Sequence, residues 1–145
     1  MTSRHTELRI DVPPERVWQI LTDFGRYPSW NPLIPYAEGD VREGARLKMR
    51  IELPGGPGMT IRPRLMRVDP PRELRWQGRL FVPRLFDGEH IFELRPESGG
   101  TRFVQRERFG GLLVPLVWGV LEGPTRQGFV AMNEALKREA EQANG

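Results

Sequence analysis

The stretch "PPERVWQILTDFGRYPSWNPLI", residues 13–34, decides the fold because it contains a helix, the end of that helix and an aromatic turn. Pro14 suits a first helical turn, and Glu15 is favourable near a helix N-terminus. Apolar residues then recur at i, i+3, i+4 and i+7, which predicts one buried helical stripe. That stripe consists of Val17, Ile20, Leu21 and Phe24. Gly25 ends the helix, and a short turn or a second small helix follows.

On both sides of this stretch the apolar residues alternate with polar ones, which is the pattern of strands with one buried face. Residues 7–12 predict a first strand before the helix. After it, Gly- and Pro-rich turns separate six further strands. Alternation that leaves one face exposed to solvent is typical of an antiparallel sheet. These six strands are predicted near 34–40, 45–53, 59–69, 72–82, 85–96 and 101–109.

The chain ends in a helical pattern. The apolar stretch "LLVPLVWGVL" (112–121) precedes Gly123 and Pro124, so we expect one long helix or two segments kinked near Gly123. One side of the last segment is apolar, with Phe129, Met132, Asn133, Leu136 and Ala140 at helical spacing. A single sheet laid on one helix must curve around it, and seven strands leave more interior than one helix stripe fills. The sequence therefore predicts a hollow between sheet and helix.

Length and composition restrict the classes of protein. With 145 residues we expect a single domain over 1–145. There is no cysteine, so disulfides and thiolate chemistry are excluded. No apolar run reaches membrane-spanning length and no secretory signal is evident, so we expect a cytoplasmic protein without stable membrane insertion. The arginines of "RPRLMR" (62–67) and "RFVQRER" (102–108) alternate with other residues, which favours a solvated outer face over a nucleic-acid surface.

Strand alternation selects the side chains that face the hollow. His90 shares a face with Phe92 and Leu94, while Gln105 and Glu107 share a face of the next strand. Apolar walls with a few convergent polar groups are the usual form of a small-molecule site. A buried carboxyl beside a neutral imidazole could act as a general base or shuttle a proton. The same groups could instead bind a ligand by hydrogen bonds or satisfy each other structurally.

Other chemistries have weaker patterns. His5 and His90 are the only two histidines and lie far apart, so we predict no metal site and no cofactor. The glycine-rich "PGGPG" (54–58) contains prolines that lack an N–H, and it is followed by no Lys-Ser/Thr pair. We interpret it as a hairpin tip. The loop "FVPRLF" (81–86) could gate a pocket, and a bulge between 81 and 88 would break the strand alternation.

Three stretches together resemble one superfamily. They are residues 13–34, "GEHIFELRPESGGTRFVQRERFGG" (88–111) and "GFVAMNEALKREAE" (128–141). The chain resembles the SRPBCC (START/Bet v 1-like) superfamily over about residues 5–142, and more closely its bacterial polyketide cyclase/dehydrase-like branch. The resemblance implies an α+β helix-grip fold. In that fold a curved seven-stranded antiparallel sheet wraps around a long C-terminal helix, with two short helices after strand 1.

The resemblance also gives the aromatic turn a place. Tyr27, Pro28, Trp30 and Pro32 would form a rigid turn beneath the cavity, with Trp30 directed toward core or ligand. Members of the superfamily bind hydrophobic small molecules between sheet and helix, and some are cyclases or dehydratases. No catalytic residue is universal in the superfamily, so His90 and Glu107 are candidates on strand alternation alone. The expected ligand-binding residues are Trp30, Tyr36, Met49, Ile61, Leu65, Trp76, His90, Phe92, Phe103, Gln105, Glu107, Phe129, Met132 and Asn133.

Three functions follow as hypotheses. The first is binding of a lipid-, sterol- or polyketide-like molecule in the cavity. The second is a cyclase or dehydratase that uses His90 and Glu107 on a polyketide-like substrate. The third is a protein- or membrane-interaction module that uses residues 112–121, which could also line the cavity entrance or a homodimer interface.

Overall fold

A computed structural model describes residues 2–55, 58–80, 86–111 and 114–142, with side chains described for 4–55, 58–78, 88–111 and 122–142. In chain order its elements are β1 (Thr2–Ile10), α1 (Pro14–Thr22), a 3-10 turn (Phe24–Arg26), α2 (Tyr27–Trp30), β2 (Tyr36–Glu38), β3 (Lys48–Ile51), β4 (Met59–Ile61), β5 (Arg64–Asp69), β6 (Glu73–Leu80), β7 (Phe86–Glu97), β8 (Gly100–Gly110) and α3 (Val114–Gln142).

The strands form two antiparallel sheets with the orders β1-β8-β7-β6-β5 and β2-β3-β4. The predicted number of seven strands is therefore wrong, because the strand expected over 59–69 is divided into β4 and β5. Pro63 lies at the division, and proline has no N–H to donate to a ladder. The two sheets nevertheless remain joined, since Leu47 N donates to Pro63 O at 2.8 Å and Leu65 N donates to Ala45 O at 2.8 Å.

The helical segment after β1 follows the predicted stripe. Val17 and Leu21 of α1 are fully buried, and the helix ends at Thr22, before the glycine predicted to end it. The buried Tyr27 hydroxyl then bonds to the carbonyl of Leu21, and the Tyr27 ring packs edge-on against Phe24 and Trp30. Burial and the charge of Asp23 raise the pKa of Tyr27 well above its ordinary value. The two short helices of the predicted fold are thus fixed to each other through one aromatic side chain.

Helix α3 is continuous over 29 residues and includes Pro124, so the prediction of one long helix is confirmed. Its described inner side packs against β1 and β8 and against α1. The residues predicted for this side, Phe129, Met132, Asn133, Leu136 and Ala140, are all buried. The expected α+β architecture, with a long C-terminal helix on an antiparallel sheet, is therefore present.

Several predictions fall wholly or partly outside the described residues. They concern 56–57 of the hairpin tip, 81–85 of the gating loop and its bulge, and the side chains of 112–121. Within the described residues, the sheet register shifts between Leu65 and Arg67 of β5 instead. No helix in the described ranges is long and apolar enough to cross a membrane.

Candidate functional site

A cavity of about 130 Å³ lies between the sheets and the inner side of α3. Most of its wall is apolar, and Met59 at its edge is 36% exposed, so we take this edge as the mouth. The described lining consists of Leu33, Ile51, Leu53, Met59, Ile61, Trp76, Gly78, Gly88, His90, Glu107, Phe109, Thr125 and Phe129. Leu33 comes from the segment that follows the aromatic turn, which brings this part of the chain to the cavity.

Two glycines make room in the sheet wall. Gly78 of β6 and Gly88 of β7 lie directly opposite each other in the strand register, and both line the cavity. A Cβ atom on Gly88 would lie 3.1 Å from Oε1 of Glu107, which is tighter than ordinary van der Waals contact. A Cβ atom on Gly78 would meet its nearest neighbour, Pro63, at 3.7 Å. The absence of a side chain at Gly88 therefore leaves space for the Glu107 carboxylate.

The polar end of the cavity is built by three side chains from β7 and β8. His90 Nδ1 lies 3.3 Å from Glu107 Oε2, and His90 Nε2 lies 2.8 Å from Gln105 Oε1. Gln105 is fully buried and His90 nearly so, whereas 19% of the Glu107 side chain is exposed. The His90 ring also packs against three aromatic rings, with centroids at 4.5 Å for Phe92, 5.2 Å for Trp76 and 5.1 Å for Phe129. The imidazole is thus fixed by packing on its faces and by polar contacts at both nitrogens.

A buried chain of hydrogen bonds continues from Gln105 to the opposite side of the core. Gln105 Nε2 donates to Asn133 Oδ1 at 2.6 Å, and Asn133 Nδ2 donates to Thr6 Oγ1 at 2.9 Å. Two backbone carbonyls, which can only accept hydrogen bonds, determine which side-chain groups donate and which accept along this series. The Thr6 hydroxyl donates to the carbonyl of Gln105 at 3.4 Å, and Gln105 Nε2 lies 3.5 Å from the carbonyl of Phe129.

This direction determines where the protons of the His90 ring lie. Because Gln105 presents its oxygen to Nε2, that nitrogen must carry a proton and donate. The other nitrogen, Nδ1, then faces the Glu107 carboxyl, and a hydrogen bond between them requires one proton on either group. The imidazole and the carboxyl therefore form one polar pair at the cavity wall. Such a pair can donate to a ligand oxygen or accept a ligand proton.

The structure brings five of the predicted ligand-binding residues to the described cavity wall: Ile61, Trp76, His90, Glu107 and Phe129. Gln105 and Asn133 lie behind His90 in the buried chain, so they reach the cavity only through it. The remaining inward-facing predictions, Met49, Leu65, Phe92, Phe103 and Met132, are fully buried in the core. The cavity is consequently smaller than the inward face of the sheet.

Two predicted ligand-binding residues lie elsewhere, which corrects their expected position. Tyr36 is paired with Arg50 and is 40% exposed, because its neighbour Ala37 takes the buried position of β2. Trp30 packs on Tyr27 and lines a separate outer cleft of about 340 Å³. Polar and charged side chains make up most of the described lining of that cleft, which consists of Arg16, Gln19, Ile20, Asp23, Arg26, Trp30 and Glu139.

Sequence reasoning missed several lining residues. Strand alternation places three of them on the inward faces, so the sequence pattern could have identified them: Ile51, Gly78 and Phe109. Thr125 lies one helical turn before Phe129, and the same spacing could have identified it. The remaining missed residues are Leu33, Leu53, Met59 and Gly88. Leu53, Met59 and Gly88 continue the alternation of Ile51, Ile61 and His90, so the same pattern applied to them, whereas Leu33 lies in a loop where no periodicity identifies it.

Metal ligation has little support in the described part of the chain. There, no group of three or more His, Asp or Glu side chains is arranged to hold a metal ion. The contact between His90 and Glu107 supplies only two such groups, and Gln105 occupies the other ring nitrogen.

The fold and its apolar cavity place the chain in the SRPBCC class of helix-grip proteins. The family described as "Polyketide cyclase / dehydrase and lipid transport" matches residues 1–141, so the chain belongs to that family. No curated protein matches the sequence.

Solved structures agree on the fold. TTHA0849 from Thermus thermophilus is 18% identical, with a TM-score of 0.78 and coverage of 99% of this chain and 100% of that one. The ZhuI aromatase/cyclase from Streptomyces sp. R1128 is 19% identical, with a TM-score of 0.79 and coverage of 99% and 97%. Ara h 8.0201 is 17% identical, with a TM-score of 0.71 and coverage of 97% and 98%. At these identities the similarity concerns the fold alone.

Proposed function

We propose that this chain binds a hydrophobic or amphipathic small molecule of the lipid, sterol or polyketide kind in the cavity beneath α3. The observation that carries the proposal is an apolar cavity with one polar pair, His90 and Glu107, in its wall. An apolar cavity of about 150 Å³ is large enough for a benzene ring. The cavity volume of about 130 Å³ therefore suits a ring-sized part of a ligand. A longer ligand would extend past Met59 at the mouth.

The polar end of such a ligand would be a carbonyl or hydroxyl group. A protonated Glu107 carboxyl would donate to a carbonyl oxygen of the ligand, and an ionised one would accept from a hydroxyl. Trp76 and Phe129 both line the cavity next to His90, and flat apolar groups pack well against aromatic rings. We therefore expect tighter binding of ligands that have an oxygen on a ring than of the corresponding hydrocarbons.

A second candidate function is that of a cyclase or dehydratase, and the 3.3 Å contact between His90 and Glu107 favours it. In a poly-β-ketone, the Glu107 carboxylate would remove a proton from the carbon between two carbonyls. The resulting enolate carbon would form a bond to a second carbonyl carbon, and the new alkoxide would take a proton from His90. The structurally similar ZhuI is an aromatase/cyclase, which supports considering this chemistry.

The test begins with native mass spectrometry of freshly purified protein, which would detect a co-purified ligand. A panel of fatty acids, sterols and aromatic polyketides is then measured by thermal shift. We expect a saturable shift with at least one class, and no shift with any class, together with no co-purified mass, would contradict the proposal.

Two variants separate binding from catalysis. If Glu107→Gln weakens binding of the oxygen-bearing ligand, the pair recognises the ligand. If Glu107→Gln and His90→Ala keep affinity and abolish turnover of a poly-β-ketone, the enzyme function is supported. Glu89→Gln is the matched control, because Glu89 lies on the outer face of β7 beside Arg75. That control is expected to leave both affinity and turnover unchanged.

A further inference from the structure

The outer face of the bent sheet carries four cations in two opposed pairs. Arg46 and Arg64 are bridged directly across the strands. The same register, with Met49 opposite Ile61, places Lys48 opposite Arg62. All four side chains are exposed. We call Arg46, Lys48, Arg62 and Arg64 the basic face.

No side chain of the basic face makes an ion pair with any residue that the structure describes. Arg46 donates to the backbone carbonyl of Arg62 at 3.0 Å, which leaves its charge uncompensated. Glu38 lies opposite Lys48 on the other side, but its carboxylate is hydrogen-bonded by the Tyr36 hydroxyl. None of the four cations therefore lies within ion-pair distance of a described carboxylate, although Glu38 is opposite Lys48 in the strand register.

The outer face of the five-stranded sheet is arranged differently. There Arg106 pairs with Glu93 at 2.5 Å, and Arg102 pairs with Glu97 at 2.8 Å. Arg75 also pairs with Glu73 at 2.8 Å. The arginines named on that face are thus paired with carboxylates of the same strand or of a neighbouring one. Exposed cations without ion-pair partners are therefore a feature of the basic face and not of the arginines named on the other sheet.

Directly opposed like charges destabilise a strand pair, so the basic face lowers the stability of the sheet. A cluster of cations without ion-pair partners among the described residues is suited to an external anionic partner. We propose that this face docks the protein on an anionic lipid surface.

Apolar side chains on the same face favour lipid over nucleic acid or an acidic protein. Met66 follows Arg64 by two residues on β5 and is 46% exposed. Tyr36 lies on the outer side of β2 and is 40% exposed. Cations mixed with exposed apolar and aromatic side chains fit the boundary between lipid headgroups and acyl chains.

If the cavity binds a ligand as proposed above, docking of the basic face on lipid bears on how that ligand enters the cavity. Met59 at the mouth and Arg62 of the basic face are three residues apart, one in β4 and the other immediately after it. Because the cavity lies on the inner side of the sheet and the basic face on its outer side, a docked protein would have its mouth at the edge of the docked surface. A poorly soluble ligand could then pass between bilayer and cavity with little exposure to water.

The test measures co-sedimentation of ligand-free protein with vesicles, so it is independent of any cavity ligand. Vesicles of phosphatidylcholine alone are compared with equal parts of phosphatidylcholine and phosphatidylglycerol. We expect binding to the anionic vesicles only, weakened by added salt. Each cation near an anionic membrane contributes about fivefold to affinity, so Lys48→Gln/Arg62→Gln should lower binding about 25-fold.

The control Arg95→Gln/Arg108→Gln removes the same net charge from the outer face of the other sheet and should change binding only about twofold. The melting temperature of Lys48→Gln/Arg62→Gln should stay equal or rise, since opposed like charges are removed. Absence of preference for anionic vesicles, or equal loss in both double variants, would overturn the proposal. Binding of duplex DNA or polyglutamate through the same residues, without vesicle binding, would replace lipid with another partner.

Discussion

The buried chain from His90 to Thr6 makes a quantitative prediction for two of its members, Gln105 and Asn133. Asn133→Leu removes the acceptor of Gln105 Nε2 and the donor to Thr6 Oγ1, so two buried polar groups lose their closest partners. Gln105→Leu removes the partners of His90 Nε2 and Asn133 Oδ1. Each group left unpaired costs about 1–2 kcal/mol, so each single variant should lose about 2–4 kcal/mol of unfolding free energy.

The double variant should lose no more than one single variant. In Gln105→Leu/Asn133→Leu the two groups that faced each other are both gone, and only His90 Nε2 and Thr6 Oγ1 remain without their former partners. The two single effects should therefore exceed the double effect by about 2–4 kcal/mol. Urea denaturation followed by Trp fluorescence gives these free energies directly.

Thr101 provides the matched control for this cycle. It is buried, its hydroxyl donates to the carbonyl of Val12 at 2.8 Å, and it lies four residues before Gln105 on β8. That spacing corresponds to about 13 Å along the strand, where effects normally add within about 0.5 kcal/mol. Thr101→Val should therefore be additive with Gln105→Leu. Additivity in the Gln105/Asn133 cycle as well would refute the hydrogen-bond chain.

Three further predictions concern the cavity and the outer face. Gly88→Ala should lower the unfolding free energy by about 1–3 kcal/mol, because the new Cβ would lie 3.1 Å from the Glu107 carboxylate. Gly78→Ala should lower it by less, and urea denaturation of the two variants measures the difference. Phe129→Ala, at a site 2% exposed, should cost about 3–5 kcal/mol in the same assay. Hydrogen bonds from Arg102 lower the pKa of Glu97 in the folded protein. The ionised Glu97 therefore stabilises the fold at pH values above its unfolded-state pKa, and this contribution is lost as the pH falls through its folded-state pKa. Glu97→Gln should therefore flatten the decline of stability below about pH 4.5 in urea titrations at successive pH values.

The outcomes that would contradict these three are distinct. Equal costs for the two glycine variants would mean that Glu107 is free to move away from Gly88. A cost below about 1 kcal/mol for Phe129→Ala would mean that the core collapses into the vacated space. An unchanged acid slope in Glu97→Gln would mean that the pair with Arg102 does not persist in solution.

Most of the fold was predictable because it depends on periodicity. Burial of Val17 and Leu21 follows from helical spacing, and burial of His90, Phe92 and Leu94 follows from strand alternation. The division of the strand over 59–69 was less accessible. Pro63 was visible in the sequence, but proline is also tolerated at sheet edges, so the residue alone does not say whether a strand ends or bends.

The candidate site was predictable only in part, because alternation gives the face of a side chain and not the depth of a cavity. It placed His90 and Glu107 correctly beside each other, while Phe103 on the same face is buried in the core. The space itself arises partly where side chains are missing, at Gly78 and Gly88. Of the two alternatives left open for Trp30, core or ligand, the structure has the core, because Trp30 packs on the Tyr27 ring and does not line the described cavity.

Asn133 has one more consequence, for the orientation of α3 about its own axis. Apolar contacts alone tolerate small rotations of a helix, whereas hydrogen bonds to both Gln105 and Thr6 permit a single angular setting. Phe129 and Thr125 stand one and two turns before Asn133, so that setting also decides that these two side chains point toward the cavity. A residue behind the cavity wall thus governs which side chains of α3 line the cavity.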